Sequence, residues 1–222
     1  MRFLSYTTFK MELELFGIVL SEPVTAIGNL LLAFACFYAF RQVRTVTSGP
    51  GTNAWSYFFL TLGASTFIGV FSHLLSAYDI HWVRVFGWFF SGFTAFFAQS
   101  ASIEQLTGKK TGTGMLLVKT QLVMFIIFLL WFQVFGVVLV TTVISLLTVL
   151  SLQSYGYLKK IVAGSELIIL GFIISVLTAV GRLFNLSLHP IWFNHHDVAH
   201  LLMIVACFVI LGGVKRAANA IA

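Results

Sequence analysis

Long apolar stretches run through almost the whole chain, and this feature leaves few structures open to it. In hydrocarbon every backbone N–H and C=O must be hydrogen-bonded within the protein, so a stretch of about 20 apolar residues forms a helix. Seven such stretches predict membrane-spanning helices: Phe16–Phe40, Ala54–Tyr78, Trp82–Ser102, Met115–Phe132, Phe135–Leu158, Glu166–Leu186 and His196–Gly213. We therefore expect an all-α, polytopic membrane protein in which residues 1–222 form a single seven-transmembrane helix bundle.

The charged residues predict how this bundle is oriented. Only 9% of the residues are charged, whereas a soluble domain carries about 25%. Basic loops of a membrane protein mark its cytoplasmic side, so the net charge of +6 does not indicate nucleic acid, and the expected partners are membrane lipids. Four basic pairs fall on one side of the predicted bundle: Arg41 with Arg44, Lys109 with Lys110, Lys159 with Lys160, and Lys215 with Arg216. They predict an N-terminus outside and a cytoplasmic C-terminus.

Three histidines lie within these apolar stretches, His73 near the end of the second and His196 and His200 at the start of the seventh. Ionisable side chains in hydrocarbon are costly, so a cluster at one depth predicts a functional site. His196 and His200 are four residues apart, which puts both rings on one helix face, as a metal-binding pair requires. Three histidines and an open position are typical of catalytic zinc. The turn could instead present His195 in place of His196.

The first predicted span carries polar residues on one helical face. Glu22, Thr25 and Asn29 fall at positions i, i+3 and i+7 of this stretch. At 1.5 Å per residue, Glu22 would lie roughly 10 Å below the outer surface. A buried carboxylate needs a specific partner, so Glu22 is a predicted functional residue. Thr25 and Asn29 could equally be functional residues or part of a polar surface that holds helices together.

Three further polar residues are candidates for the same site. Asp197 lies three residues after Asn194, a good N-cap, so Asp197 either caps the seventh helix or takes part in chemistry. Arg182, near the outer end of the sixth span, can extend to the interface, pair with a carboxylate of the site or hold an anionic head group. Ser72 in the second span could stabilise an oxyanion.

This set of residues resembles the membrane-hydrolase superfamily (CREST) that contains alkaline ceramidases and adiponectin receptors. Members of that superfamily have seven spans, a serine and a histidine in the second, and an H-x-x-x-H motif in the last. The corresponding residues here are Ser65 or Ser72, then His73, His196 and His200. The predicted orientation resembles that of the ceramidases. The resemblance implies histidine-bound zinc, with an aspartate and a serine that assist amide hydrolysis.

The chain departs from this pattern at two positions. Gly69 stands where the superfamily has a serine four residues before the histidine, and Asp79, which follows the second-span histidine, falls in a loop. Two segments, Glu22–Thr25 and Trp192–His200, also resemble the E-P-x-T and W-F-N-H-N-D-x-x-H motifs of an uncharacterised bacterial seven-span family. This second resemblance covers more of the chain and implies a location in the bacterial inner membrane.

The leading hypothesis is a zinc-dependent intramembrane hydrolase that acts on a lipid amide or ester. The three histidines would bind Zn²⁺ and lower the pKa of its water to about 7. Glu22 or Asp197 would accept the proton, and Ser72 or Arg182 would stabilise the developing oxyanion.

Two alternatives use the same residues. The first is a haem-binding electron carrier with His73 and His200 as axial ligands. The second is a transporter or proton-coupled receptor in which Glu22, Arg182 and the histidines form a proton relay. Visible absorption of the purified protein separates the haem protein from the zinc protein.

Overall fold

Seven α-helices make up most of the chain in the computed structural model, which describes residues 12–46, 49–184, 186–189 and 194–220. The helices are α1 Pro23–Arg44, α2 Thr52–Leu74, α3 His81–Thr107, α4 Thr113–Phe132, α5 Phe135–Leu158, α6 Ser165–Leu183 and α7 His195–Asn219. A 3-10 turn at Ser76–Tyr78 follows α2. The part of the chain that the structure describes is mainly helical, as the sequence predicts, with one hairpin before α1.

Five of the described helices are long and apolar enough to cross a membrane, namely α1, α2, α4, α5 and α7. The apolar part of α6 is shorter, Ser165–Gly181. In α3 the many phenylalanines alternate with Ser, Thr, Gly and Gln, which lowers its hydropathy. The chain therefore has the helices of a membrane protein.

A β-hairpin precedes α1, where the first predicted span was expected to begin. Strand β1 (Glu12–Leu15) pairs antiparallel with β2 (Ile18–Ser21), and the helix starts only at Pro23, so the predicted start at Phe16 is wrong. Two causes are visible in the sequence. The alternation of Glu and Leu in β1 has the period of a strand, and proline is favoured in the first turn of a helix. The two turn residues have the positive φ angles that a tight two-residue hairpin requires.

The helices are arranged as a ring with one helix outside it. Around the ring, α1 packs on α2, α2 on α3, α3 on α5, α5 on α6 and α6 on α7, and α7 closes the ring against α1. Helix α4 packs on the outside, against α3 and α5. The largest core cluster lies inside this ring and includes the fully buried Trp55, Phe59 and Ile168.

Helices α1 and α7 run parallel at a constant register. Three side-chain contacts join partners that are 171–173 positions apart: Thr25 with Asp197, Cys36 with Cys207, and Gln42 with Lys215. Because the first contact is near the N-termini and the last near the C-termini, the two helices remain in contact over most of their length. The N-terminal ends of α1 and α7 therefore lie side by side, next to the C-terminal end of α2.

Candidate functional site

A cluster of histidines lies where α1, α2 and α7 meet, at the end of the bundle that carries the hairpin. His73 is in the last turn of α2, and His196 and His200 are in the first two turns of α7. The ring centroid of His73 is 5.8 Å from that of His196 and 6.3 Å from that of His200. The structure thus brings His73 close to both of the other predicted metal ligands, and we call the three residues the histidine cluster.

Glu22 joins this cluster from α1. Its Oε2 lies 2.5 Å from Nδ1 of His73, and the exposed fractions of the two side chains are 12% and 26%. An ionised carboxylate can only accept a hydrogen bond, so in this contact Nδ1 of His73 is the donor. Glu22 has a left-handed backbone with φ of 50° where the chain turns from β2 into α1. Glu22 is therefore a carboxylate that contacts the histidine cluster directly.

Asp197 fixes the start of α7 against α1. Its Oδ2 accepts a hydrogen bond of 2.8 Å from the backbone N–H of Asn194. The side-chain Oδ1 of Asn194 in turn accepts a hydrogen bond of 2.7 Å from the backbone N–H of His196, and the two bonds form a capping box. The other oxygen, Oδ1 of Asp197, accepts a bond of 2.8 Å from the Thr25 hydroxyl. With both oxygens engaged and 3% exposure, the Asp197 carboxylate fits the capping role that the sequence left open.

His200 presents a buried nitrogen with no partner in the described part of the chain. This atom, Nδ1, makes no hydrogen bond and is inaccessible to solvent. The backbone of α1 comes close here, because a Cβ placed on Gly28 would lie 3.2 Å from both Cβ and Nδ1 of His200. Buried polar atoms are nearly always hydrogen-bonded, so this nitrogen is a candidate for contact with a bound group.

The two adjacent histidines at the start of α7 lie in contact with each other. The ring centroids of His195 and His196 are 4.1 Å apart, and His196 in turn contacts His73. Of the two, His196 has the ring contact with α2, which favours it as the member of the cluster.

Ser72 and Ser65, the serines proposed from the resemblance, face α3 rather than the histidines. The Ser65 hydroxyl donates a hydrogen bond of 2.9 Å to the carbonyl of Gly87 in α3. Ser72 lines a small pocket with Asp79 and Arg84, which form an ion pair beside α3. Neither serine lies on the face of α2 that packs on α1 and α7.

Two of the predicted residues fall outside what the structure describes. The backbone of Arg182 belongs to α6, but its side chain lies outside the described part of the chain, so the structure does not address its proposed pairing with a carboxylate. Trp192, which opens the motif before α7, also lies outside it.

Asn29 is a polar residue of α1 for which the sequence predicts no particular chemical role. Its side chain is buried, with 4% exposure. A Cβ placed on Gly69 of α2 would lie 3.0 Å from Oδ1 of Asn29, so the amide fills the space beside Gly69. The spacing from Glu22 to Asn29 indicated the correct helix face, but it did not indicate which neighbour that face meets.

The donor atoms suit zinc, although the rings stand slightly too far apart for it. Among the described residues, no three His, Cys, Asp or Glu side chains are close enough to hold a metal ion. Rings bound to one zinc have centroids about 5 Å apart, because each Zn–N bond is about 2.0–2.1 Å. The distances of 5.8 and 6.3 Å are therefore about 1 Å too long. The Nδ1 atom of His200, which has no hydrogen-bond partner among the described residues, lies against Gly28 of α1.

A cavity of about 180 Å³ lies inside the ring of helices. Its walls come from five helices, with Phe58 and Leu62 of α2, Thr94 and Ala98 of α3, Ser145 of α5, Phe172 of α6, and Met203 and Cys207 of α7. Leu62 precedes His73 by 11 residues and Cys207 follows His200 by seven, close to three and two helical turns. The cavity and the histidine cluster therefore lie on the same faces of α2 and α7.

Comparison with known proteins gives one result. Neither the curated proteins nor the solved structures contain a match to this chain. A family model described as a family of unknown function, DUF6962, matches residues 24–219, which include α1 from its second residue, all of α2 to α7 and every residue of the histidine cluster. The chain therefore belongs to the DUF6962 family.

Proposed function

We propose that this protein is a metal-dependent hydrolase of the membrane, with its site at the junction of α1, α2 and α7. The observation that carries the proposal is the contact of Glu22 with Nδ1 of His73, within a cluster of three histidines. Histidines that bind a catalytic metal generally donate their second N–H to a carboxylate, which fixes the orientation of the ring. A buried carboxylate–histidine pair without a ligand would leave this arrangement unexplained.

His73, His196 and His200 would hold the metal, and zinc is the ion that best suits three imidazole nitrogens. Bound zinc would supply two kinds of chemistry: it would polarise a carbonyl group, and it would make water a nucleophile near neutral pH. The protein residues prepare the site for it. Glu22 holds the proton on Nδ1 of His73, so that Nε2 can act as a ligand. Asp197 and Thr25 hold α7 against α1 and so fix the positions of His196 and His200.

Glu22 is also the better candidate of the two predicted general bases. Both oxygens of Asp197 accept hydrogen bonds, from α1 and from the backbone at the start of α7, whereas Oε2 of Glu22 contacts His73 within the cluster. A general base must come within hydrogen-bond reach of the proton that it removes. The carboxylate of Glu22 lies 2.5 Å from Nδ1 of His73, so it would meet this condition for a group bound beside that ring.

The cavity supports a substrate with an apolar part. Its lining is mostly apolar and lies deeper in the bundle, on the same faces of α2 and α7 as the histidines. A lipid amide or ester would place its polar linkage at the histidine cluster and its chain among Phe58, Leu62 and Met203. We propose this substrate class together with the kinship to the ceramidase and adiponectin-receptor superfamily, because both account for a hydrolytic site inside an apolar bundle.

The proposal includes the arrangement in the membrane. All seven helices would cross the bilayer, with the hairpin and the histidine cluster on the outer side and the four basic pairs on the cytoplasmic side of a bacterial inner membrane. Arg216 with Glu166, and Lys215 with Gln42, form polar contacts at the basic end. The basic residues of this end support the orientation by the positive-inside rule.

The metal content of the purified protein tests the proposal most directly. Protein prepared without chelators should contain about one zinc ion per chain, and His200→Ala should lose it, because one of three protein ligands is removed. His81→Ala is the matched control, since His81 contacts Gln133 at the start of α3 and not the cluster. The control should keep its metal.

The other outcomes have definite meanings. Wild-type protein that lacks any transition metal, and binds none when zinc is added, would contradict the proposal and leave a proton relay through Glu22 and the histidines. A haem absorption band that is lost in His73→Ala would show that the site binds haem rather than zinc. Equal metal loss from His200→Ala and His81→Ala would show a general effect of histidine removal and would also count against the site.

A further inference from the structure

The hairpin before α1 has one apolar face. Its register pairs Leu13 with Leu20 and Glu14 with Val19. In an antiparallel pair, side chains directly opposite each other lie on one face, and successive residues of a strand alternate between the two faces. Leu13, Ile18 and Leu20 therefore share a face, whereas Glu14 and Val19 lie on the other. The hairpin is thus amphipathic.

The apolar residues near the tip of the hairpin are exposed. The exposed fraction is 44% for Leu13 and 49% for Ile18, and Phe16 in the turn is 97% exposed. Contiguous exposed apolar side chains mark sites of interaction. A two-stranded hairpin is also only marginally stable in water by itself. Both facts indicate that this face has a partner.

The hairpin is attached to the bundle through β2. The backbone N–H of Val19 donates a hydrogen bond of 2.9 Å to the hydroxyl of Tyr78, in the 3-10 turn between α2 and α3. Ser21, the last residue of β2, is buried. These contacts fix the hairpin at the level of the connection between α2 and α3.

This connection has the residues of a membrane–water interface. Tyr78, Ile80 and Trp82 are exposed, and so is Trp131 near the end of α4, at the same end of the bundle. Tryptophan and tyrosine are enriched where membrane-spanning helices leave the hydrocarbon. Because Tyr78 is hydrogen-bonded to β2, the hairpin lies at the depth of these aromatic residues. Its exposed apolar face thus extends the apolar surface of the bundle at this depth.

We propose that the hairpin lies in the membrane interface, with Phe16, Leu13 and Ile18 in contact with lipid. Amphipathic segments in this position bury their apolar face about 5–10 Å into the boundary between head groups and acyl chains. Glu14, on the opposite face, stays in water, where its charge is solvated. Because β2 ends one residue before Glu22, the lipid surface lies within one short strand of the candidate site. The inference goes beyond the proposed function, since it needs helices that cross the membrane but neither a metal nor hydrolysis.

Fluorescent labels on the two faces of the hairpin test this placement. Leu13→Cys, Ile18→Cys and Glu14→Cys are made separately in a Cys36→Ala, Cys207→Ala background, because both native thiols are free. Each protein is labelled with nitrobenzoxadiazole and reconstituted into phosphatidylcholine vesicles. A second set of vesicles contains phosphatidylcholine with a nitroxide on the acyl chain near the head group.

The two faces should respond differently. Labels at positions 13 and 18 should emit at shorter wavelength and lose most of their fluorescence to the nitroxide lipid. Glu14→Cys is the matched control on the opposite face, and its label should keep its fluorescence with the nitroxide lipid but lose it to aqueous iodide. Adding Phe16→Ser to Ile18→Cys should reduce quenching by the nitroxide toward the level of the control, because the tip loses its largest apolar contact.

The other outcomes contradict the proposal. Equal nitroxide quenching on both faces, or labels at positions 13 and 18 that only iodide quenches, would refute lipid contact. Short-wavelength emission at these positions without nitroxide quenching would mean that protein covers the face, either a second copy or another part of this chain. Unchanged quenching in Phe16→Ser would remove the tip from the contact. None of these readouts involves zinc or hydrolysis, so a failure of the proposed function would leave them unaffected.

Discussion

A substitution at Glu22 separates two roles that its carboxylate could have at the site, orientation of His73 and general-base catalysis. In Glu22→Gln the side chain keeps its size but loses the charge that holds the proton on Nδ1 of His73. Removal of such a partner lowers metal affinity about 10–100-fold in known metal sites. We therefore expect weaker zinc binding, measured by competition with a chromophoric chelator, together with a lower hydrolytic rate at saturating zinc.

Asp79→Asn provides the control, because Asp79 is an exposed carboxylate near the same end of the bundle that pairs with Arg84 instead. This variant should match wild type in both measurements. Unchanged zinc affinity with a lost rate in Glu22→Gln would make Glu22 a general base that does not orient His73. Wild-type values for both would remove Glu22 from the site.

Gly28 provides a second prediction for a single residue. A methyl group at Gly28 would lie 3.2 Å from the side chain of His200, closer than most carbon contacts in proteins. Gly28→Ala should therefore displace His200 by a few tenths of an ångström and weaken zinc binding. Gly181→Ala, in α6, adds a methyl group with no atom of the described residues within 4 Å, and this variant should bind zinc like wild type. Equal zinc affinity in the two variants would show that the close approach of α1 does not position His200.

Some residues of the site were predictable and others were not, for a geometric reason. The position of a residue along its helix can be inferred from the sequence, and this position correctly predicts that His73 lies near His196 and His200. The rotation of a helix about its own axis cannot be read in the same way. Adjacent residues of a helix point about 100° apart, so Ser72 faces α3 while His73 faces α7. For the same reason Asn29 was placed on a polar face, but its contact with Gly69 could not be predicted.

At the scale of secondary-structure elements, one hydrogen bond joins the start of α7 to α1. The Thr25 hydroxyl and Oδ1 of Asp197 are 2.8 Å apart and buried. A double-mutant cycle with Thr25→Val and Asp197→Asn should give a coupling free energy of about 1–3 kcal/mol, because hydrogen bonds to charged groups are worth this much. The free energy of unfolding in mixed micelles is the measurement. A coupling near zero would mean that the capping box alone fixes this end of α7.

The helix boundaries show how far local sequence signals determine the elements. The predicted fifth span, Phe135–Leu158, coincides with α5, where a polar break in front of the helix marks its start. The predicted first span begins seven residues before α1, because the apolar stretch extends into the hairpin, although the alternation in β1 is typical of a strand and the proline marks the start of α1. Leucine and valine occur in strands and helices alike, so hydropathy alone does not separate a hairpin at the membrane surface from the first turns of a span.

At the scale of the whole molecule, the orientation in the membrane is the main prediction. Single cysteines at Lys109, Lys159 and His189 can be introduced into a Cys36→Ala, Cys207→Ala background, since both native thiols are free and buried. In intact cells a membrane-impermeant maleimide should label the cysteine at position 189 and leave positions 109 and 159 unlabelled until the cells are opened. Labelling of all three from outside would contradict the seven-span topology.

The order of the helices around the ring could not be predicted from the sequence. Short loops make most consecutive helices neighbours, but α4 lies outside the ring and α3 packs directly on α5. Closure of the ring by α1 and α7 depends on contacts between residues about 172 positions apart. No local pattern encodes such a pairing, although it assembles the candidate site.

The closure of α1 against α7 has a consequence for how the protein is made. Synthesis proceeds from the N-terminus, so α1 leaves the ribosome long before α7. Until α7 arrives, the Thr25 hydroxyl lacks its Asp197 partner, and the polar face of α1 has only α2 to cover it. Polar groups are costly in hydrocarbon, so the nascent α1 gains by remaining beside the insertion machinery. Assembly of the histidine cluster is then the last event of biogenesis, and a chain truncated before α7 cannot mature.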